Sequence, residues 1–191
     1  MAKKESSFKN MVITLLVVTM VAGFALGGVY NATKEPIALA KKAKTEAALK
    51  AVIPDFDTVY THKVLPVDGT DSLTVNKGFK DGQLVGVAIE TYSNKGYDPT
   101  QIKMMVGFTP AGEIINTSVI QHKETPGLGT KMSDPKFYTQ FQGKNPDTYK
   151  LQVKKDRGDV DAITAATIST RAFCDAITRA HVALKNEGGN K

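Results

Sequence analysis

The chain has 191 residues, of which 41% are hydrophobic and 23% charged, with a net charge of +6 at neutral pH. These values suit one globular domain with room for one appendage. All but three of the 25 basic residues are lysine, whereas base readout and bidentate phosphate clamps favour arginine. We therefore expect no nucleic-acid partner.

The single cysteine, Cys174, excludes an internal disulfide, a cysteine-ligated iron–sulfur cluster and a c-type haem site. The three histidines lie far apart in the sequence, so no metal site is expected. Any redox chemistry would therefore need an organic cofactor.

The first element in chain order is an uncharged run of twenty residues, 11–30. At about 1.5 Å per residue it would span about 30 Å, the thickness of a bilayer core. A cleaved signal peptide is the alternative, but the run is long for that role and no small-x-small cleavage site follows it. We predict a retained transmembrane helix over 11–30, preceded by an N-terminal segment at 1–10.

Lysines lie on both sides of this span, so counting charges leaves its orientation undecided. Within the span, Gly23 and Gly27 form a GxxxG pattern. Small residues on one face allow a second membrane helix to approach closely, although glycine is also simply common in membrane helices.

An alanine-rich amphipathic stretch follows the span, and we predict a separate juxtamembrane helix over 31–56. Glu35-Pro36 would begin it, because proline is tolerated in a first turn, and Pro54 would end it.

Two β-hairpins are predicted next. The first joins 72–80 to 83–93 through Asp81-Gly82, a dipeptide that supplies the positive φ of a tight turn. The second joins 102–109 to 114–122 through a Pro-Ala-Gly-Glu turn. Alternation places two sets of side chains on single strand faces. The sets are Val85, Val87, Ile89 and Thr91, and Ile102, Met104, Val106 and Phe108.

The C-terminal third predicts two helices and a short strand. Ser133 would cap a short helix in which Phe137 and Phe141 pair at i,i+4, and 149–153 would form the strand. Ser169 would cap a final helix over 169–187 whose apolar face lies on the core. Antiparallel strands with helices towards both ends predict an α+β domain over 57–187, followed by a tail at 188–191.

Two loops have the features of a binding site. In the first, 122–131, Pro126-Gly127 suits a type II turn, and Gly129 adds a second permissive backbone position where a flat ligand could approach. The alternative is an ordinary connection between a strand and a helix. The second loop immediately precedes the predicted final helix. In it, Thr167 lies just outside the helix N-terminus, which is a favourable place for a phosphate. The alternative there is a small-residue loop entering a helix.

The residues of these two loops resemble a known family. The stretch DAITAATIS resembles the flavinylation motif of FMN-binding subunits, in which Asp and two further residues precede Ser or Thr and then Gly-Ala-Thr. The stretch HKETPGLG resembles a second segment of that family. Together with the N-terminal span, the chain length and residues 94–115, the similarity extends over nearly the whole chain. The sequence is similar to the G subunits of Rnf electron-transport complexes.

This resemblance implies that FMN is joined through its phosphate to the hydroxyl of Thr167. It also implies that the loop 124–130 borders the flavin and that the residues preceding Thr167 hold the linkage. The residues assigned to the cofactor on this basis are Asp161, Thr164, Ala165, Ala166, Glu124, Thr125, Gly127, Leu128, Gly129 and Thr130.

The resemblance further implies an electron carrier within a redox-driven translocase. Such a complex passes electrons between ferredoxin and NAD and moves Na⁺ or H⁺ across the cell's inner membrane. The chain would cross the membrane once, with 1–10 in the cytoplasm and 57–187 on the extracytoplasmic side. Its partners would be other membrane subunits, packed on the transmembrane helix, and a flavin transferase needed for maturation.

Two positions depart from the family pattern. Ala165 stands where glycine is usual, which would cost about 1 kcal/mol or more if the backbone there has a positive φ, and little if the loop is ordinary. Asp98-Pro99 replaces a Gly-Gly pair.

Other functions remain open at this point. The related C subunit of Na⁺-pumping NADH:quinone reductase shares the attachment motif, and a stand-alone extracytoplasmic flavoprotein is also possible. The non-redox alternatives are an anchored structural protein or an anchored domain that binds a ligand reversibly.

Overall fold

A computed structural model describes residues 7–66 and 71–188 of the chain. Most of the predicted N-terminal segment and nearly all of the predicted tail lie outside these ranges. The chain divides into two compact units, Met1–Lys44 and Thr45–Lys191.

From Phe8 onward, the N-terminal unit is part of a single α-helix, α1, which runs from Phe8 to Val52. It is long and apolar enough to cross a membrane, and its most apolar stretch is not buried against protein. The predicted start of a new helix at Glu35-Pro36 is wrong, because α1 continues through Pro36. Proline removes one backbone donor from a helix, but the alanine- and lysine-rich sequence after it strongly favours helix.

The second unit is built on a five-stranded antiparallel sheet whose strands lie in chain order. The predicted α+β class is thereby confirmed, and both predicted hairpins are present. Asp81 (φ 50°) and Gly82 (φ 77°) form the tight turn of the first hairpin. The strands are β1 (Thr58–Val64), β2 (Leu73–Lys80), β3 (Gln83–Ser93), β4 (Ile102–Phe108) and β5 (Ile114–Gln121).

Strand β3 departs from simple alternation near its start. Leu84 pairs with Phe79 and Gly86 pairs with Gly78, which leaves Val85 as an extra residue in a β-bulge. The predicted grouping of Val85 with Val87 is therefore wrong. Val87 belongs to the main core, whereas Val85 packs against the cluster on the opposite face.

The main core lies between the sheet and a C-terminal helix, α3 (Thr167–Gly188), which packs on β3 and β4. The predicted pair Phe137–Phe141 is confirmed, with ring centroids 5.5 Å apart, and both rings also contact Phe173. Cys174 is buried in this core, and burial raises the pKa of its thiol to about 12. It is therefore a packing residue and not a reactive thiol.

A smaller apolar cluster covers the other face of the sheet. The last turn of α1 and the residue after it contribute Ala48, Val52 and Ile53, which pack on Ala88 and Met105. The residues from Thr45 onward thus complete the core of the second unit.

Two local predictions in the C-terminal third are wrong. The short helix α2 (Pro135–Tyr138) has Asp134 and not Ser133 at its N-cap, because Pro135 takes the first helical position. The predicted strand at 149–153 is reduced to one bridge between Val153 and Val160. The bridge is parallel, and parallel strands need a connection of about a dozen residues or more, which the short segment between Val153 and Val160 does not provide.

Candidate functional site

The two loops singled out in the sequence meet at one cavity of about 560 Å³. This volume lies within the range of about 300–1,000 Å³ that is typical of small-molecule sites. It is lined by the loop after β5, by the start of α3 with the residues just before it, and by Tyr97 from the connection between β3 and β4. The lining residues are Tyr97, Glu124, Thr125, Leu128, Gly129, Ala165, Ala166, Thr167, Ile168 and Ser169.

Helix α3 begins at Thr167, two residues earlier than predicted. Ser169 does not cap the helix, because its hydroxyl donates instead to Glu124 Oε2 at 2.5 Å. The Thr170 hydroxyl accepts from the Ile163 amide and donates to the Ala166 carbonyl, which fastens the preceding loop to the first turn. The half-buried Thr167 therefore occupies the first helical position and faces the cavity.

The hydroxyl of Thr167 has no hydrogen-bond partner within the part of the chain that the structure describes, unlike those of Ser169 and Thr170. A hydroxyl that is accessible and not engaged by the fold is free to form a covalent bond. The N–H groups of a first helical turn lack intrahelical acceptors and carry a partial positive charge. This position therefore suits an anionic group.

Thr164 and Asp161 do not line this cavity. They border a neighbouring one of about 430 Å³, together with Lys131 and Gln140. The Asp161 carboxylate is paired with Lys154, and the Asp161 amide donates to Gln140 Oε1. The structure thus separates these two predicted cofactor residues from Thr167.

The loop 124–130 has the predicted turn. The Leu128 amide donates to the Thr125 carbonyl and Gly127 has φ 75°, as in a type II turn with Pro126-Gly127 at its centre. Thr130 holds the turn by accepting from the Gly127 amide, and neither Thr130 nor Gly127 lines the cavity.

Gly129 has a different role from the one predicted. Its φ is not positive, but a Cβ at this position would lie 2.5 Å from Ser169 Oγ and 2.7 Å from Glu124 Cβ. Gly129 is required because the loop passes so close to α3.

Ala165 occupies a strained backbone position. Its φ is 60°, and the Ala166 amide donates to the Ile163 carbonyl, so Ala165 stands third in a four-residue turn. A positive φ there is the conformation for which glycine is preferred. The sequence left open whether the backbone at Ala165 has a positive φ or an ordinary conformation. The φ is positive, so the alanine incurs a conformational cost.

We therefore expect Ala165→Gly to stabilise the fold by about 1 kcal/mol, since glycine adopts this conformation without strain. Thermal unfolding of the purified chain should show a rise in Tm of about 2–4 °C. Ala162→Gly is the control, because Ala162 is exposed and has no positive φ, and it should lower Tm slightly. An equal decrease in both variants would contradict the assignment of strain to Ala165.

Comparison with known proteins identifies the family. The G subunit of an ion-translocating oxidoreductase complex from Shewanella piezotolerans is 30% identical over 187 residues, which cover 91% of this chain and 87% of that protein. The G subunits from Methanosarcina acetivorans and Pasteurella multocida are also 30% identical, over 88% and 92% of this chain and 89% and 92% of their own lengths. The chain belongs to the family of G subunits of ion-translocating oxidoreductase complexes.

In this member of the G-subunit family, residues 96–182 match the FMN-binding domain. That range contains all the residues that line the cavity. A solved structure of NqrC from Shewanella oneidensis is also similar, with 25% identity and a TM-score of 0.44, covering 70% of this chain and 65% of that one. The family resemblance stated from the sequence is confirmed.

The sequence did not predict three of the residues that line the cavity of this G-subunit family member, Tyr97, Ile168 and Ser169. Ile168 could have been found from the sequence, because it is an apolar residue beside Thr167 that lies outside the core-facing stripe of α3. In the structure it is 46% exposed. Ser169 was interpreted as a cap, since its partner Glu124 is 45 residues away in the sequence.

Proposed function

We propose that this chain is a flavin-carrying electron-transfer subunit of a membrane-bound ion-translocating oxidoreductase complex, with FMN joined through its phosphate to Thr167. One observation carries the proposal. The free hydroxyl of Thr167 faces a cavity of about 560 Å³ at a helix N-terminus, inside a matched FMN-binding domain.

The N-terminus of α3 suits the phosphate. A phosphodiester on Thr167 Oγ1 retains a negative charge, and the unpaired amides and dipole of the first helical turn stabilise such a charge. The bond would join the phosphorus of an FMN unit to Thr167 Oγ1. A flavin transferase would take that unit from an activated donor such as a flavin dinucleotide, whose pyrophosphate bond breaks as the nucleoside monophosphate leaves and the hydroxyl loses its proton.

The cavity also suits a flat aromatic ring system. Tyr97, Leu128 and Ile168 are 70%, 38% and 46% exposed, which places three large apolar side chains around one opening. They would contact the flavin and exclude water from one of its sides. Bound FMN would supply reversible electron transfer, and the protein would supply its position and surroundings.

The apolar part of α1 would anchor the chain in the membrane. Gly23 and Gly27 contact no residue of the described chain outside α1, so this face of the helix would be open to other subunits of the complex. We further propose that 57–187 lies on the extracytoplasmic side, and that the complex links ferredoxin and NAD to the movement of Na⁺ or H⁺.

Covalent attachment is tested with the full-length chain, produced with and without a flavin transferase. The denatured protein from the first preparation should give a fluorescent gel band and the intact mass of the FMN adduct. The second preparation should be dark. Flavin released on denaturation would indicate reversible binding, and a dark first band, with a modified control substrate, would contradict the proposal.

A further inference from the structure

The Glu124 side chain connects three segments of the site. The residue as a whole is 4% exposed. Oε1 accepts from the amides of Tyr97, at 2.9 Å, and Asp98, at 3.4 Å. Oε2 accepts from the Ser169 hydroxyl at 2.5 Å. One buried carboxylate thus ties its own loop to the segment at 96–98 and to the first turn of α3.

Two glycines close around this carboxylate. A Cβ at Gly96 would lie 2.6 Å from Glu124 Oε1, and one at Gly129 would lie 2.7 Å from Oε2. Both oxygens are therefore enclosed by protein and bound by protein donors. This arrangement leaves the carboxylate oriented towards the protein, although the residue borders the cavity.

The segments that Glu124 joins both contribute residues to the lining of the cavity. The amide of Tyr97 is held by the carboxylate, while the Tyr97 side chain is 70% exposed and lines the opening. Ser169 lies two residues after Thr167 in the same helical turn. The Glu124 carboxylate is therefore a direct link between the Tyr97 backbone and the turn that carries Thr167, while Lys95 joins the same connection to Asp175 farther along α3.

We propose that Glu124 is a positioning residue for the flavin site. It holds the Tyr97 segment and the Thr167 turn at a fixed separation, and it does not itself bind the flavin. The inference rests on the proposed function, because it takes the cavity beside Thr167 to be the place of the FMN.

The test compares Glu124→Ala with Glu124→Gln. Glutamine has the same length, and its amide oxygen can accept from Tyr97 while its amide nitrogen donates to Ser169, whose hydroxyl rotates to accept. Alanine removes every link. Thr91→Val is the matched control, because it removes a buried hydrogen bond between β3 and the Ala176 carbonyl of α3, away from the cavity.

Two readouts are used on the full-length chain. Without transferase, hydrogen exchange of the Tyr97 and Asp98 amides reports the link itself. With transferase, the rate of flavin attachment reports its effect on the site. We expect Glu124→Ala to speed amide exchange and to slow attachment by about tenfold or more, since small misplacements of reacting groups have large effects on rate. Glu124→Gln and Thr91→Val should stay close to the wild type in both readouts.

Several results would overturn the inference. One is unchanged exchange at Tyr97 in Glu124→Ala, and another is attachment in Glu124→Gln as slow as in Glu124→Ala. If Thr91→Val slowed flavin attachment as much as Glu124→Ala does, the slowing would reflect general destabilisation of the fold and not a positioning role of Glu124. A wild-type chain that never carries flavin would contradict the proposed function and the flavin role of Glu124, while the exchange data would still show whether the link exists.

Discussion

Thr167→Ala is expected to abolish covalent flavin completely when the variant is produced with a flavin transferase. The substitution removes the Thr167 hydroxyl, which borders the cavity and has no hydrogen-bond partner among the described residues. Because Thr167 is half-buried and its hydroxyl makes no structural bond, the free energy of unfolding should change by no more than about 0.5 kcal/mol. In-gel fluorescence of the denatured protein measures the first effect and thermal unfolding measures the second.

Thr164→Ala is the matched control for this experiment. Thr164 lies three residues earlier in the same loop, but it borders the neighbouring cavity with Lys131 and Asp161. Its variant should retain the fluorescent band. Thr167→Ser should retain it as well, because serine places a hydroxyl at the same helical position. A band that survives in Thr167→Ala and disappears in Thr164→Ala would move the attachment site to the other cavity.

Gly107→Ala is expected to destabilise the second unit by about 3 kcal/mol or more. A Cβ on Gly107 in β4 would lie 1.9 Å from the Val52 carbonyl oxygen and 2.9 Å from Val52 Cβ. Val52 is fully buried at the end of α1. The alanine must therefore displace Val52 and Ile53 from the sheet, and each buried aliphatic side chain contributes about 1.5–3 kcal/mol.

Thermal unfolding by calorimetry should show a decrease in Tm of about 6–12 °C for this variant. Gly86→Ala in β3 is the graded control. A Cβ there meets Ile115 Cδ1 and Ile53 Cγ2 at 3.2 Å and the Phe108 carbonyl oxygen at 3.3 Å, so these neighbours need to shift by only a few tenths of an ångström. Equal decreases in the two variants would show that the contact of Gly107 with Val52 does not limit stability.

Turn composition and strand alternation were sufficient to predict much of the sheet from the sequence. Asp81-Gly82 has the positive φ values that its composition predicts, and the alternation in β4 places Met104, Val106 and Phe108 in the main core. These features depend on residues that are neighbours in the sequence, so a short window contains their cause. The bulge at Val85 does not follow from such a window, because it depends on how β2 pairs with β3.

In the candidate site too, some features follow from local sequence and others depend on tertiary contacts. Composition and motif predicted that Thr167 and the loop at 124–130 belong to one site, and in the structure both border one cavity. The sequence analysis predicted Thr167 as the attachment residue, but it also assigned Thr164 to the same cofactor site. The turn at Ala165 and the start of α3 place them at different cavities.

By itself, the sequence determined the membrane-length apolar helix, the two hairpins and the residue types of the loop before α3. Each follows from hydrophobic periodicity or turn chemistry over a few residues. Only the tertiary structure decided which threonine faces the cavity, why Gly129 and Gly107 must be glycine, and what Glu124 does. Glu124 and Ser169 are 45 residues apart, and Gly107 and Val52 are 55 apart. Such contacts arise only when helix and sheet pack together, which no local pattern encodes.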